Sequence, residues 1–88
     1  MELEEIRTQI NALNAELLHL FEKRMKLCGQ VAEYKKEHDM DVFVPTREAE
    51  ILKWVEQNAE AEFSSYDLQF FNCMLELSRR YQQTVIQP

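Results

Sequence analysis

Apolar residues recur along the front of the chain at Leu3, Ile6, Ile10, Leu13, Leu17, Leu20, Leu27, Val31 and Tyr34, in steps of three and four with one gap. That spacing places them on one face of a single helix, predicted from Leu3 to Lys36. The gap falls at Arg24, a cation where the stripe calls for an apolar side chain. A charge on a buried stripe is costly unless something anionic meets it. Taken alone, Arg24 reads as a snorkelling stem or an ion pair with Glu16 or Glu22.

The remaining pattern is shorter. His38 to Asp41 is polar, and Val42-Phe43-Val44 has extended character, with Val44 held off helical angles by Pro45. A second helix is predicted from about Thr46 to Asn58, capped by Thr46 or opened by Pro45, with Ile51, Leu52, Val55 and Ala59 on one face. Ser64-Ser65-Tyr66-Asp67 has the form of a capping sequence. A third helix follows to about Val85, with Leu68, Phe71, Met74, Leu75 and Val85 inward and Ser78 and Gln82 on the same face. The expected fold class is all-α: one long, one short and one medium helix in a single domain spanning residues 1–88.

Length turns this into a statement about assembly. A helix of thirty-odd residues is a rod of roughly 50 Å, whereas a compact domain of this size has a radius of gyration of about 12 Å. The rest of the chain is too short to cover such a rod. Either the helix breaks near Gly29, the chain's only glycine, or a second copy packs along it. An intertwined homodimeric helical bundle is the expectation.

Composition then narrows the function. The net charge of −6 argues against a nucleic-acid partner, which wants a basic excess. No apolar run reaches membrane-spanning length and the acidic start has no signal core, so the chain reads as cytoplasmic. Cys28 and Cys73 have no metal-like spacing and read as reduced. No metal-ligand cluster, nucleophile–His pair or Gly-rich phosphate loop is present.

What remains is a set of cations. Arg24 and Lys35 are eleven positions apart, hence only about 20° apart around the helix and about 16 Å along it. Arg7 lies about 25 Å before Arg24 and about 100° round, within reach of a shared small ligand only across an antiparallel partner helix. Arg47-Glu48, Ser78 and Gln82 complete the inventory. Guanidinium groups pair with carboxylates bidentately, so the set suits a small dicarboxylate.

In that order and spacing, Arg7, Arg24, Lys35, Arg47-Glu48, Ser78 and Gln82 resemble the all-helical chorismate mutase family. So do Leu3-Glu4-Glu5-Ile6-Arg7, Leu20-Phe21-Glu22-Lys23-Arg24 and Val31-Ala32-Glu33-Tyr34-Lys35-Lys36. The resemblance implies a homodimer with two sites, each shared between chains, and a cofactor-free, metal-free Claisen rearrangement of chorismate to prephenate in phenylalanine and tyrosine biosynthesis. It implies that Arg24 and the other chain's Arg7 hold the substrate carboxylates with help from Ser78. It further implies that Lys35 and Gln82 donate to the ether oxygen of the breaking bond. Glu48 would accept from the ring hydroxyl, and Arg47 would position Glu48. Members often carry an acidic residue where this chain has Val44. Two alternatives stay open: an isochorismate–pyruvate lyase on the same fold, and a helical dimerisation or regulatory module that binds a metabolite without turning it over.

Overall fold

A computed structural model describes residues 1–88 as three α-helices: α1 (Leu3–Glu37), α2 (Pro45–Asn58) and α3 (Ser64–Ile86). A 3₁₀ turn, Ala61–Phe63, leads into α3. The all-α expectation and the three-helix order hold. The molecule measures 54 × 26 × 14 Å with a radius of gyration of 16.1 Å, well above the ~12 Å of a compact domain this size.

The long helix does not break. Glu4 and Glu5 in its first turn and Lys35 and Lys36 in its last complement the helix dipole. Gly29 sits beneath the Tyr81 ring of α3, where an added Cβ would come within 3.2 Å of the phenol oxygen. The glycine thus serves a close helix approach, and its propensity cost of about 1 kcal/mol is absorbed within 35 continuous residues. Termination is local. Asp39 takes a left-handed φ of 52°, and the Met40 amide reaches back to the Lys35 carbonyl at 2.8 Å, a Schellman closure with Asp in the place glycine usually holds.

Pro45 opens α2 as its first residue, and extended Val44 is the N-cap. The Val44 carbonyl accepts the amides of Arg47 and Glu48 at 3.1 and 3.2 Å, which fixes both side chains at the start of the helix. The capping sequence expected at residues 64–67 does not cap. Ser64 is already helical, running on from the 3₁₀ turn, and no side chain caps α3. The hydroxyl of Ser65 instead accepts from Gln69 one turn on.

The core is small and one-sided. Ala32, Val55, Met74 and Leu75 are its buried apolar residues; Lys35, Ser78 and Gln82 are the buried polar ones. All seven lie where the C-terminal half of α1 meets α3 and α2. Both α1 and α2 pack on α3, and neither packs on the other. The nine seam residues from Leu3 to Tyr34 are each 40–61% exposed in the single chain.

Candidate active site

Between the C-terminal half of α1, the 38–44 loop, the first turns of α2 and the last half of α3 lies a cleft of ≈ 340 Å³. From α1 it takes Arg24, Cys28, Val31 and Lys35, which follow each other at steps of four, three and four and so form one stripe. From α2 come Arg47 and Glu48, and from α3 Leu75, Ser78, Arg79 and Gln82. Four cations against one carboxylate make the cleft electropositive in a chain of net charge −6.

A directed chain of hydrogen bonds lines its floor. Lys35 Nζ donates to Gln82 Oε1 at 2.7 Å and to the Val42 carbonyl at 2.6 Å. Gln82 Nε2 donates to Ser78 Oγ at 3.1 Å, and the Ser78 hydroxyl donates to Cys28 Sγ at 3.0 Å. An ammonium has three protons and a side-chain amide two. Lys35 and Gln82 therefore each retain one N–H for a ligand. Ser78 rests on a thiol, a weak acceptor it can leave at little cost. Arg24 has only a 3.6 Å contact to the same sulfur, so its fork is almost entirely available. Neither Glu16 nor Glu22 pairs with it.

Burial lowers the Lys35 pKa from its ordinary 10.5 because desolvation disfavours the ammonium; the nearby Cys28 and Glu48 oppose that shift. An anion in the cleft would oppose it further.

The chain matches the family model for chorismate mutase type II over residues 6–83. It belongs to that family. It is similar to the T-protein of Haemophilus influenzae, 36% identical over 75% of this chain and 18% of the relative. It is also similar to the T-protein of Enterobacter agglomerans, 38% identical over 68% of this chain and 16% of the relative. The bifunctional chorismate mutase/prephenate dehydratase of Aquifex aeolicus is 36% identical over 59% of this chain and 14% of its own length. The chain thus spans less than a fifth of the length of these curated relatives. No solved structure matches it at comparable significance.

Six of the seven family-type positions line this one cleft: Arg24, Lys35, Arg47, Glu48, Ser78 and Gln82. Arg7 does not. It lies near the far end of α1, exposed, in an i,i+3 contact with Glu4 at 3.3 Å of the kind worth little in water. The positioning role expected of Arg47 needs correction. Arg47 turns to Glu50 at 3.5 Å, and the guanidinium paired with Glu48 is that of Arg79. The cause is rotational: Glu48 and Arg47 are about 100° apart on α2, so Glu48 faces α3 while Arg47 points to the cleft's rim.

Arg79 and Cys28 are the site residues missing from the sequence reading. In sequence Arg79-Arg80 looks like a solvated pair. The available signal was its place between Ser78 and Gln82, one turn before the latter on the inward side of α3. Cys28 stands four residues after Arg24, on the same stripe. Val44, at the often acidic position, lines the cleft as an apolar wall with its carbonyl committed to the first turn of α2. No group of three or more His, Cys, Asp or Glu is placed to hold a metal ion, and no helix is long and apolar enough to cross a membrane.

Proposed function

We propose that this chain is a chorismate mutase, catalysing the Claisen rearrangement of chorismate to prephenate on the way to phenylalanine and tyrosine. The observation that carries this is the pair of spare N–H donors of Lys35 and Gln82, held side by side by their mutual hydrogen bond, in a cleft whose Arg24 fork is unpaired. The substrate is a dianion that must fold its enolpyruvyl tail over its ring. The ether C–O bond then breaks while the tail's terminal carbon bonds to the ring, and no external group enters or leaves.

In this account Arg24, Ser78 and Arg7 of a second copy hold the two carboxylates and fix the folded conformer, so that much of the acceleration comes from orientation. Lys35 and Gln82 donate to the ether oxygen. Negative charge grows there as the bond breaks, so these contacts strengthen in the transition state. Glu48 accepts from the ring hydroxyl, and Arg47 at the rim adds positive potential.

The assembly is an antiparallel, intertwined homodimer with two sites. Half-exposed apolar side chains on the nine-residue seam support it. Covering what is still wet would recover on the order of 1 kcal/mol per residue, a total comparable with the ~5–15 kcal/mol net stability of a whole domain. The antiparallel sense is what brings a second chain's Arg7 toward Arg24.

The test is to incubate the purified chain with chorismate and follow prephenate. Acceleration far above the spontaneous reaction is expected. Its absence removes the reading, and pyruvate release from isochorismate in its place would make the chain a lyase.

A further inference from the structure

Arg79 is the cleft cation that no role in the rearrangement yet uses, and its contacts are unlike those of the others. Its guanidinium is ion-paired with the Glu48 carboxylate of α2. One face of the same group lies 5.1 Å above the ring of Phe43 in the 38–44 loop, within cation–π range. Arg24 is almost unengaged and Arg47 faces outward, whereas Arg79 is committed on both sides by groups of its own chain.

The fold explains why such a tie matters. Since α1 and α2 do not pack on each other, Lys35 on one wall and Glu48 on the other keep their register only through α3 and the loop. Helix α3 supplies both ties one turn apart, Gln82 to Lys35 and Arg79 to Glu48. Successive loop residues are held from two different helices, the Val42 carbonyl by Lys35 of α1 and the Phe43 ring by Arg79 of α3.

Glu48 also has an alternative partner in the cleft. Its carboxylate is near enough to Lys35 to favour that ammonium electrostatically. Released from Arg79, it would swing toward the free cations of the cleft and occupy the donors meant for the reacting ether. We propose that Arg79 is a positioning residue, which holds Glu48 away from Lys35 and fixes the 42–44 segment so that the cleft is ready before substrate arrives. This rests on the mutase reading above.

The experiment is a double-mutant cycle between Arg79 and Glu48 with chorismate as substrate, on the dimer. Arg79→Ala should lower kcat about tenfold or more, the scale of one charge-assisted contact, with KM moving less. In Glu48→Gln the same Arg79 replacement should cost little further, because its effect runs through the carboxylate. Arg79→Lys, which keeps the charge and loses the fork, should recover part of the loss. Additive losses, or a KM effect that dominates, would show Arg79 acting on substrate directly and overturn the proposal. So would an Arg79→Ala enzyme equal to wild type. Circular dichroism on each variant separates misfolding from mispositioning. A readout free of turnover is the Arg79 Nη1–H resonance, the group that donates to Glu48: sharp and slow to exchange in the wild type, broadened or lost in Glu48→Gln. A chain that does not convert chorismate removes the mutase reading, while this resonance, unchanged by Glu48→Gln, removes the tie itself.

Discussion

The two halves of α1 carry the same half-exposed apolar stripe and differ in what lies beside it. From Leu3 to Leu20 every residue is exposed, although Leu3, Ile6, Ile10, Leu13, Leu17 and Leu20 form an unbroken seam. From Arg24 to Lys35 the helix lies against α3, and both of its buried residues, Ala32 and Lys35, are there. The front half has good helix-forming pattern and no lid; the back half has a lid and uses it to bury polar chemistry. Three of the seven buried residues are Lys35, Ser78 and Gln82, so this protomer spends much of its small core on the site. Its own contacts complete the cationic cleft except for Arg7, which sits on the uncovered half. The uncovered seam and Arg7 lie on the same half, and the second antiparallel copy proposed above would cover the one and bring in the other.

That contrast can be broken first at the front. Leu13→Asp with Leu17→Asp should leave an isolated protomer little changed, since both side chains are already wet, at 61% and 50% exposed. If the seam is a dimer core, the pair should abolish the dimer and nearly all turnover, read by sedimentation alongside the chorismate assay. At the back, Lys35→Ala should cost about 10²–10³-fold in kcat, the scale of losing a donor to a developing oxyanion, with the dimer intact.

Lys35 also sets a pH dependence. Its pKa lies below 10.5 because of burial, so kcat/KM should fall on the alkaline side at a pH below the ordinary lysine range, and Lys35→Arg should move that fall upward. Its contribution to stability runs the opposite way. Between the lowered folded value and 10.5 the unfolded chain binds more protons, so this residue's contribution rises with pH across that window. Smallest is Gly29→Ala. The gain in helix propensity, about 1 kcal/mol, works against a Cβ placed 3.2 Å from the movable Tyr81 phenol. Thermal unfolding should therefore shift only slightly, and a large loss would show that the α1–α3 approach is rigid there.

The fold was readable because period and punctuation agree. Steps of three and four predict α1 to within a residue or two of its end, and Pro45 marks the start of α2. The shared face of Ser78 and Gln82 is also visible in spacing, and the two are hydrogen-bonded one turn apart. Contacts between elements were not readable. The Arg79–Glu48 pair joins residues thirty-one positions apart; helical period sets Arg79 nearer the Ser78–Gln82 face than Arg80 but does not name its partner. The resemblance implied that Arg47 positions Glu48, yet the two diverge by about 100° on α2, and Arg47 meets Glu50 while Glu48 meets Arg79. The start of α3 was misjudged because a 3₁₀ turn, with no side-chain signature, carries the chain into the helix ahead of the serines.

The most direct measurement mixes two inactive proteins, Arg7→Ala and Lys35→Ala, under conditions where subunits exchange. In the mixed dimer, one site combines an intact Lys35 with an intact Arg7 and the other lacks both. With random exchange, about a quarter of wild-type turnover should return. If exchange is verified and no activity returns, the two chains do not share a site, and the central claim fails.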